Sequence, residues 1–247
     1  MPVITFANTK GGAGKTTLAV VTACELSQRG YETCLLDGDP QQWASRWSAL
    51  TRKPKNLKII SEVDEDNLDG HIIKAKLSAD YVLIDLPGMR SPLLAAALAQ
   101  TSHCFVPVQG CAMDAVGAAQ VINLLQRLRD ECAIHIPHSV VLTRISQIIT
   151  TRAMLAVRAM LAERRIHVLD TPLIERAAYR DMFINGGTLH CLDETKVSNL
   201  DRARENAFEL ANEIEALVPC QSRIGDKAPL QFFRSTMRSL RQALHPA

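Results

Sequence analysis

The sequence predicts an α/β protein with a mostly parallel sheet and helices on both faces. Two observations carry this. Short, near-continuously apolar runs alternate with longer helical patterns along the chain, and strands that lack polar alternation are those buried on both faces. The first run, Val3-Ile4-Thr5-Phe6-Ala7, passes straight into a glycine-rich octet and then a helical pattern, so right-handed crossovers would gather the octet and the later strand ends on one edge of the sheet. After 3–7, strands are predicted at 33–37 (ending Leu35-Leu36-Asp37), 57–60, 81–85 (Tyr81-Val82-Leu83-Ile84-Asp85), 104–108, 139–143 and 167–169. Helices are predicted between and beyond them, near 15–29, 41–50, 67–78, 91–100, 114–131, 150–164, 175–183 and 199–217.

A chain of 247 residues is long enough for one full α/β domain with a substantial core. Only 4% of it is aromatic, so that core is Leu, Ile, Val and Ala, and a net charge of +2 singles out no polyanionic partner. Seven cysteines, an odd number without C-x-x-C spacing, exclude a disulfide framework and a structural zinc site. Most stand in apolar stretches and read as buried small hydrophobes of a reducing compartment. The seven histidines are scattered without metal-ligand spacing. No signal-peptide pattern opens the sequence and no apolar run approaches the ~20 residues needed to span a bilayer, so a soluble cytoplasmic protein is expected.

The octet reads Lys10-Gly11-Gly12-Ala13-Gly14-Lys15-Thr16-Thr17. Glycines let consecutive backbone N–H groups turn inward without Cβ clashes, which makes an anion nest at a helix start. Lys15 then reaches β- and γ-phosphates, and the Thr16 hydroxyl is placed to ligate Mg²⁺. A lone glycine-rich turn is often only a tight connection; three glycines, two lysines and two threonines in this order are not. The usual spacing is broken at Thr9, which stands where a first glycine belongs, and Lys10 comes in one residue later.

Two acidic elements follow. Asp37-Gly38-Asp39-Pro40-Gln41 closes the 33–37 strand, at the end that borders the ligand crevice of such a sheet. Asp, Gly and Pro all favour turns, so by itself this could be a turn. Beside a phosphate loop, Asp37 suits indirect, water-mediated hold on Mg²⁺ and Asp39 suits orienting or deprotonating an attacking water. The 81–85 strand ends in Asp85, the form of a Walker B carboxylate near the metal, and Gly88 follows in a loop able to change shape.

These elements resemble the ParA/MinD family of deviant Walker A P-loop ATPases, nearest its short ParA-type partition members. Phe105-Val106-Pro107-Val108-Gln109 with Asp114 is similar to the family's dimer-facing strand and loop, and Thr171-Pro172-Leu173-Ile174 with Arg176 to its adenine-side segment. The resemblance implies a P-loop NTPase fold over roughly residues 2–217, with ATP and Mg²⁺ as cofactors. Lys10, Lys15 and Asp39 would be catalytic; Gly11, Gly12, Ala13, Gly14, Lys15, Thr16, Thr17 and Pro172 would bind nucleotide; Thr16, Asp37 and Asp85 would serve the metal. It implies an ATP-dependent homodimer in which Lys10 crosses to the partner's phosphates, non-specific DNA binding on the nucleoid, and a cargo-bound ParB-like activator that triggers hydrolysis during DNA partition. No helix-turn-helix region is expected ahead of the loop. Candidate phosphate-contacting residues are Arg152, Arg158, Arg176, Arg180, Arg202 and Arg204, each of which would also serve as an ordinary solvated helix residue.

Composition changes at Pro219. Residues 219–247 hold five basic residues and one acid, a charge of +4, which leaves −2 on the rest. An ATPase domain over 1–218 and a basic tail over 219–247 are therefore expected. In the tail, Leu230, Phe233, Met237, Leu240 and Leu244 follow a helical stripe, with Arg234, Arg238 and Arg241 on another face. Such a segment can dock on its own domain, add to DNA binding, or lie on an anionic membrane as in a MinD-like positioning ATPase. An iron–sulfur carrier related by fold is a third class; Cys104, Cys111 and Cys191 lack ligand spacing for it. The acidic stretch Glu62, Asp64, Glu65, Asp66 and Asp69 reads as a solvated loop and helix start.

Overall fold

The computed structural model describes residues 1–50, 53–109, 112–145 and 152–220. Its strands are β1 (Val3–Phe6), β2 (Thr33–Asp37), β3 (Leu57–Ile60), β4 (Tyr81–Asp85), β5 (His103–Gln109), β6 (His138–Ile145) and β7 (Leu173–Ile174). They form one sheet in the order β3-β2-β4-β1-β5-β6-β7, every neighbouring pair parallel. The helices are α1 (Lys15–Gln28), α2 (Trp43–Ala49), α3 (Leu68–Lys76), α4 (Pro92–Ala99), α5 (Ala112–Cys132), α6 (Arg152–Glu163), α7 (Ala177–Asn185) and α8 (Leu200–Leu217). The expected fold class is therefore the observed one, and β1 sits centrally where the order reverses, with its carboxyl end at the crevice such sheets use.

Successive side chains point to opposite faces, and two cores result. Ile4, Phe6, Leu35, Tyr81, Leu83 and Phe105 pack under α1, α2, α7 and α8. Val3, Cys34, Leu36, Val82, Ile84, Cys104 and Val106 pack under α3, α4, α5 and α6. Cys24, Cys34 and Cys104 are buried, and burial raises their pKa. α8 is tied to the end of α1 by Arg29 and Tyr31, which both donate to Glu215 at 2.5 Å. The fully buried Trp47 anchors α2 by donating from Nε1 to the Gly187 carbonyl at 3.1 Å.

One predicted strand moves. Residues 167–169 make only an isolated bridge, Val168 to Val140, and the seventh strand is Leu173–Ile174. The amides of Asp170 and Thr171 are captured by the Glu213 carboxylate at 2.8 and 2.9 Å, which draws the chain off the ladder, and Pro172 has no N–H to give. Pairing resumes at Leu173, opposite Thr143. Residues 219–220 still pack: the Cys220 side chain is buried, with Sγ 3.5 Å from the Asp80 carbonyl. The rest of the expected tail, 221–247, lies outside the described residues.

At the sheet edge away from the phosphate loop, His103 stacks on Phe105 with ring centroids 4.5 Å apart. Its Nε2 and the Nδ1 of His167 both lie 2.9 Å from the Ser139 hydroxyl. Burial, with His138 and His167 adding, pushes the His103 pKa down to about 4. A histidine whose folded pKa lies below its unfolded value of about 6.5 binds fewer protons when folded, so stability is lost as pH falls from about 6.5 toward 4. The urea midpoint is expected to fall between pH 7 and pH 5, and less steeply in His103→Gln; equal slopes would show that His103 titrates freely.

Candidate functional site

The loop between β1 and α1 carries the octet. Gly12 and Gly14 take φ of 80° and 93°, the left-handed region open to glycine, and Gly14 caps α1. Two neighbouring strands brace the loop: the Thr143 hydroxyl donates to the Ala13 carbonyl at 2.8 Å, and the Gln109 amide donates to the Gly12 carbonyl. Asn8 fixes the entry, donating to the Pro107 carbonyl at 2.8 Å and accepting from the Lys10 N–H at 2.9 Å. Thr9, in place of a glycine, donates to Gln120 of α5 at 2.7 Å. Two glycines outside the loop permit close approach: a Cβ on Gly88 would stand 2.6 Å from Gly11 N and Cα, and one on Gly117 would stand 2.2 Å from Asn8 Oδ1.

Lys15 is buried and its Nζ donates to the Lys10 carbonyl at 3.0 Å. Lys10 itself is half-buried at the loop's front, its Cβ against Gly117. Asp37 and Asp85 are register partners on adjacent parallel strands, so both carboxylates leave the sheet beside the loop. Asp37 is well satisfied: Oδ2 accepts from Ser45 N at 2.8 Å and Ser45 Oγ at 2.7 Å, and Oδ1 from Asp39 N at 3.3 Å. Burial still raises its pKa, against the Ser45 bonds.

Asp85 is different. Neither buried carboxylate oxygen has a partner in good hydrogen-bonding geometry among the described residues. Burial pushes its pKa up to about 7; the nearby Thr16 hydroxyl and the Lys15 ammonium oppose this, and Asp37 and Asp39 add to it. A buried carboxyl without donors is costly unless a cation or proton completes it. Asp85 together with Thr16 and Asp37 thus fits a hard cation. No group of three or more His, Cys, Asp or Glu able to hold a metal alone occurs among the described residues.

Asp39 is half-buried beyond Asp37 and accepts from Gln41 N at 2.8 Å. Pro172 lies one residue before Leu173, the register partner of Thr143, and its carbonyl accepts from Asn206 at 2.8 Å. The loop residues, the three acids and Pro172 thus share the carboxyl edge of the sheet. The six arginines do not share one face. Exposed Arg152 and Arg158 stand on α6, whereas Arg176, Arg180, Arg202 and Arg204 belong to α7 and α8 or their start, across the sheet. Arg180 and Arg202 pair at the surface with Glu175 and Glu205, while Arg204 is held by Glu194, Asp201 and the Leu189 carbonyl. The side chain of Asp114 and residues 110–111, including Cys111, lie outside the described residues. Sequence reasoning missed Ser45, Asn8, Thr143 and Gly117; of these only Asn8, adjoining the octet, carried a positional signal.

This fold is the P-loop NTPase fold of the ParA/MinD class. The protein named ParA from Rhizobium radiobacter is 33% identical over 211 residues, covering 85% of this chain and 95% of that one. MinD of Aquifex aeolicus superposes with a TM-score of 0.66 at 20% identity, over 87% and 98% of the two chains, and an ATP complex of Cyanothece McdA with 0.63 at 16%, over 86% and 96%. Residues 1–222 match the VirC1 protein family, and the chain belongs to that family.

Two outcomes are expected. An acid whose folded pKa is raised destabilises as pH climbs through that value, so Asp85→Asn should raise nucleotide-free stability at pH 8 by roughly 1–3 kcal/mol in urea unfolding. A loss of stability would mean that the carboxylate has a native partner. Gly88→Ala should weaken binding of a non-hydrolysable ATP analogue about tenfold by calorimetry, because its Cβ meets loop backbone; unchanged affinity would mean that the 87–89 loop yields freely.

Proposed function

We propose that the chain is an ATP-driven switch of the ParA type that positions DNA or another cargo. The observation that carries this reading is a two-lysine phosphate loop facing Asp37, Asp39 and the unpartnered Asp85 on one sheet edge. The relative named ParA and the ATP-bound McdA neighbour support it. Backbone N–H groups of Gly11 to Thr17 would cradle the phosphates, and Lys15 would exchange the Lys10 carbonyl for β- and γ-oxygens. Thr16 directly, with Asp37 and Asp85 through water, would hold Mg²⁺, which supplies charge neutralisation on those oxygens. Asp39 would orient the attacking water and accept its proton. Pro172 would border the adenine.

Lys10 would reach the phosphates of a second subunit and stabilise the transferred charge in trans. Exposed Met89 and Val116 adjoin Gly88 and Gly117, the two glycines set against the loop, and such apolar side chains suit burial in a dimer. ATP would then make the dimer and hydrolysis undo it. Two weak arginine faces would become one DNA-binding surface, and a ParB-like activator would time release. Residues 1–218 would act as the ATPase domain and 219–247 as an appended segment.

The full chain is expected to bind non-specific DNA with ATP and not with ADP, the affinity falling steeply with salt. Lys10→Ala should abolish both dimerisation and DNA binding. Asp39→Ala should keep ATP binding, slow hydrolysis at least ~100-fold, and prolong the DNA-bound state. ATP-dependent binding to anionic liposomes with no DNA binding would replace partition with membrane positioning.

A further inference from the structure

Two large apolar side chains on α3 point into solvent: Leu77, just past its last turn, is 85% exposed and Ile73 is 64% exposed. With Gly70, Asp69 and Asp66 they fall on one side at spacings of three, four and seven residues, the period of a helix face. Gly70 is exposed, and a Cβ there would meet nothing, so the face is shallow enough for close approach. Its far end is acidic. Asp64, Glu65 and Asp66 are exposed, and Asp64 Oδ1 accepts the amides of Asp66 and Asn67 at 3.0 and 2.9 Å to start the helix.

The occupant is indicated by where the described chain ends. Tyr81 donates to the Val218 carbonyl at 3.0 Å, and Cys220 lies against Asp80, three residues beyond Leu77. The remaining residues, 221–247, therefore start beside Asp80, on the side of the sheet that carries α8 and three residues along the chain from Leu77. We propose that residues 230–244 dock on α3, with Leu230, Phe233 and Met237 against Leu77 and Ile73, and Arg234, Arg238 and Arg241 toward Asp69, Asp66 and Glu65. The nine residues 221–229 can span up to roughly 30 Å, and fifteen helical residues extend about 22 Å, enough to run from Leu77 past Asp64. Lys74 and Lys76 flank the face and leave its centre to the acids. The partner is the chain's own basic segment, and its far end would lie beside Val63, whose N–H donates to the Asp37 carbonyl at 3.3 Å.

Hydrogen exchange on the full-length protein, without nucleotide, tests this. Amides of 230–244 should be protected at least tenfold over random-coil rates, independently of protein concentration. The exposed-site double variant Ile73→Ser with Leu77→Ser should lose that protection while β1 and β4 amides keep theirs. Arg238→Glu should weaken it, and adding Asp66→Arg with Asp69→Arg should restore it. Random-coil exchange in the wild type, protection that survives the α3 double variant, protection that grows with concentration, or protection that appears only with DNA or anionic vesicles would each overturn the proposal. None of these readouts depends on ATP turnover, so the failure of either reading would leave the other standing.

Discussion

Phe6, Asp85 and Asp37 lie side by side on β1, β4 and β2, and because these strands are parallel their backbones end at one level. That register places a glycine loop, a buried acid and a satisfied acid along one edge. A slip of one residue in β4 would turn Asp85 to the other face of the sheet and put Ile84 into the crevice. The apolar alternation forbids it. Val82 and Ile84 belong to one core while Tyr81 and Leu83 belong to the other, so the slip would exchange both sets at once. Hydrophobic sorting along β4 is thus what aims the carboxylate.

The electrostatic consequence is an imbalance held in place by the fold. Asp37 receives three donors, two of them from Ser45, whereas Asp85 has only the nearby Thr16 hydroxyl, which is not in good hydrogen-bonding geometry. Both are buried, and Asp37 adds to the cost of ionising Asp85. Lys15, the nearest counter-charge, points its ammonium toward the Lys10 carbonyl. The strands packed around Asp85 hold its carboxyl in place despite that cost. The same imbalance favours any cationic ligand by the amount that it relieves.

Much of this architecture was legible in the sequence because apolar runs and the octet are local signals. Six of seven strands and all eight helices of the described residues stand where periodicity placed them, within a few residues. The seventh strand was displaced because Glu213, more than forty residues away, takes the amides of Asp170 and Thr171, and no local pattern announces a distant carboxylate. Ser45 was invisible for a similar reason. An ordinary serine in a predicted helix becomes a site residue only because the turn after Asp39 folds α2 back onto Asp37. Gly117, inside the predicted 114–131 helix, likewise carries no local sign that a Cβ there would meet Asn8. The sheet separates the six candidate arginines into two groups, which their positions in the sequence do not announce.

The turn that holds Asp39 is locally strained. Gln42, which precedes α2, has a φ of 50°, a left-handed value that a non-glycine residue adopts at a cost of order 1 kcal/mol. The cost is met by bonds on both sides. Gln42 N donates to the Asp39 carbonyl at 2.8 Å, Gln41 N to the Asp39 carboxylate at 2.8 Å, and Ser45 clamps the start of α2 to Asp37. Asp39 is therefore oriented by its own turn while that turn is anchored to its neighbouring acid. Loss of negative charge on Asp37 would weaken the Ser45 bonds, since donors to a carboxylate are about twice as strong as donors to a neutral acceptor. The strained residue would then be free to relax, and Asp39 would move with it. Orientation at Asp39 is in this way coupled to charge at Asp37, through one helix turn and without any contact between the two carboxyl groups being required.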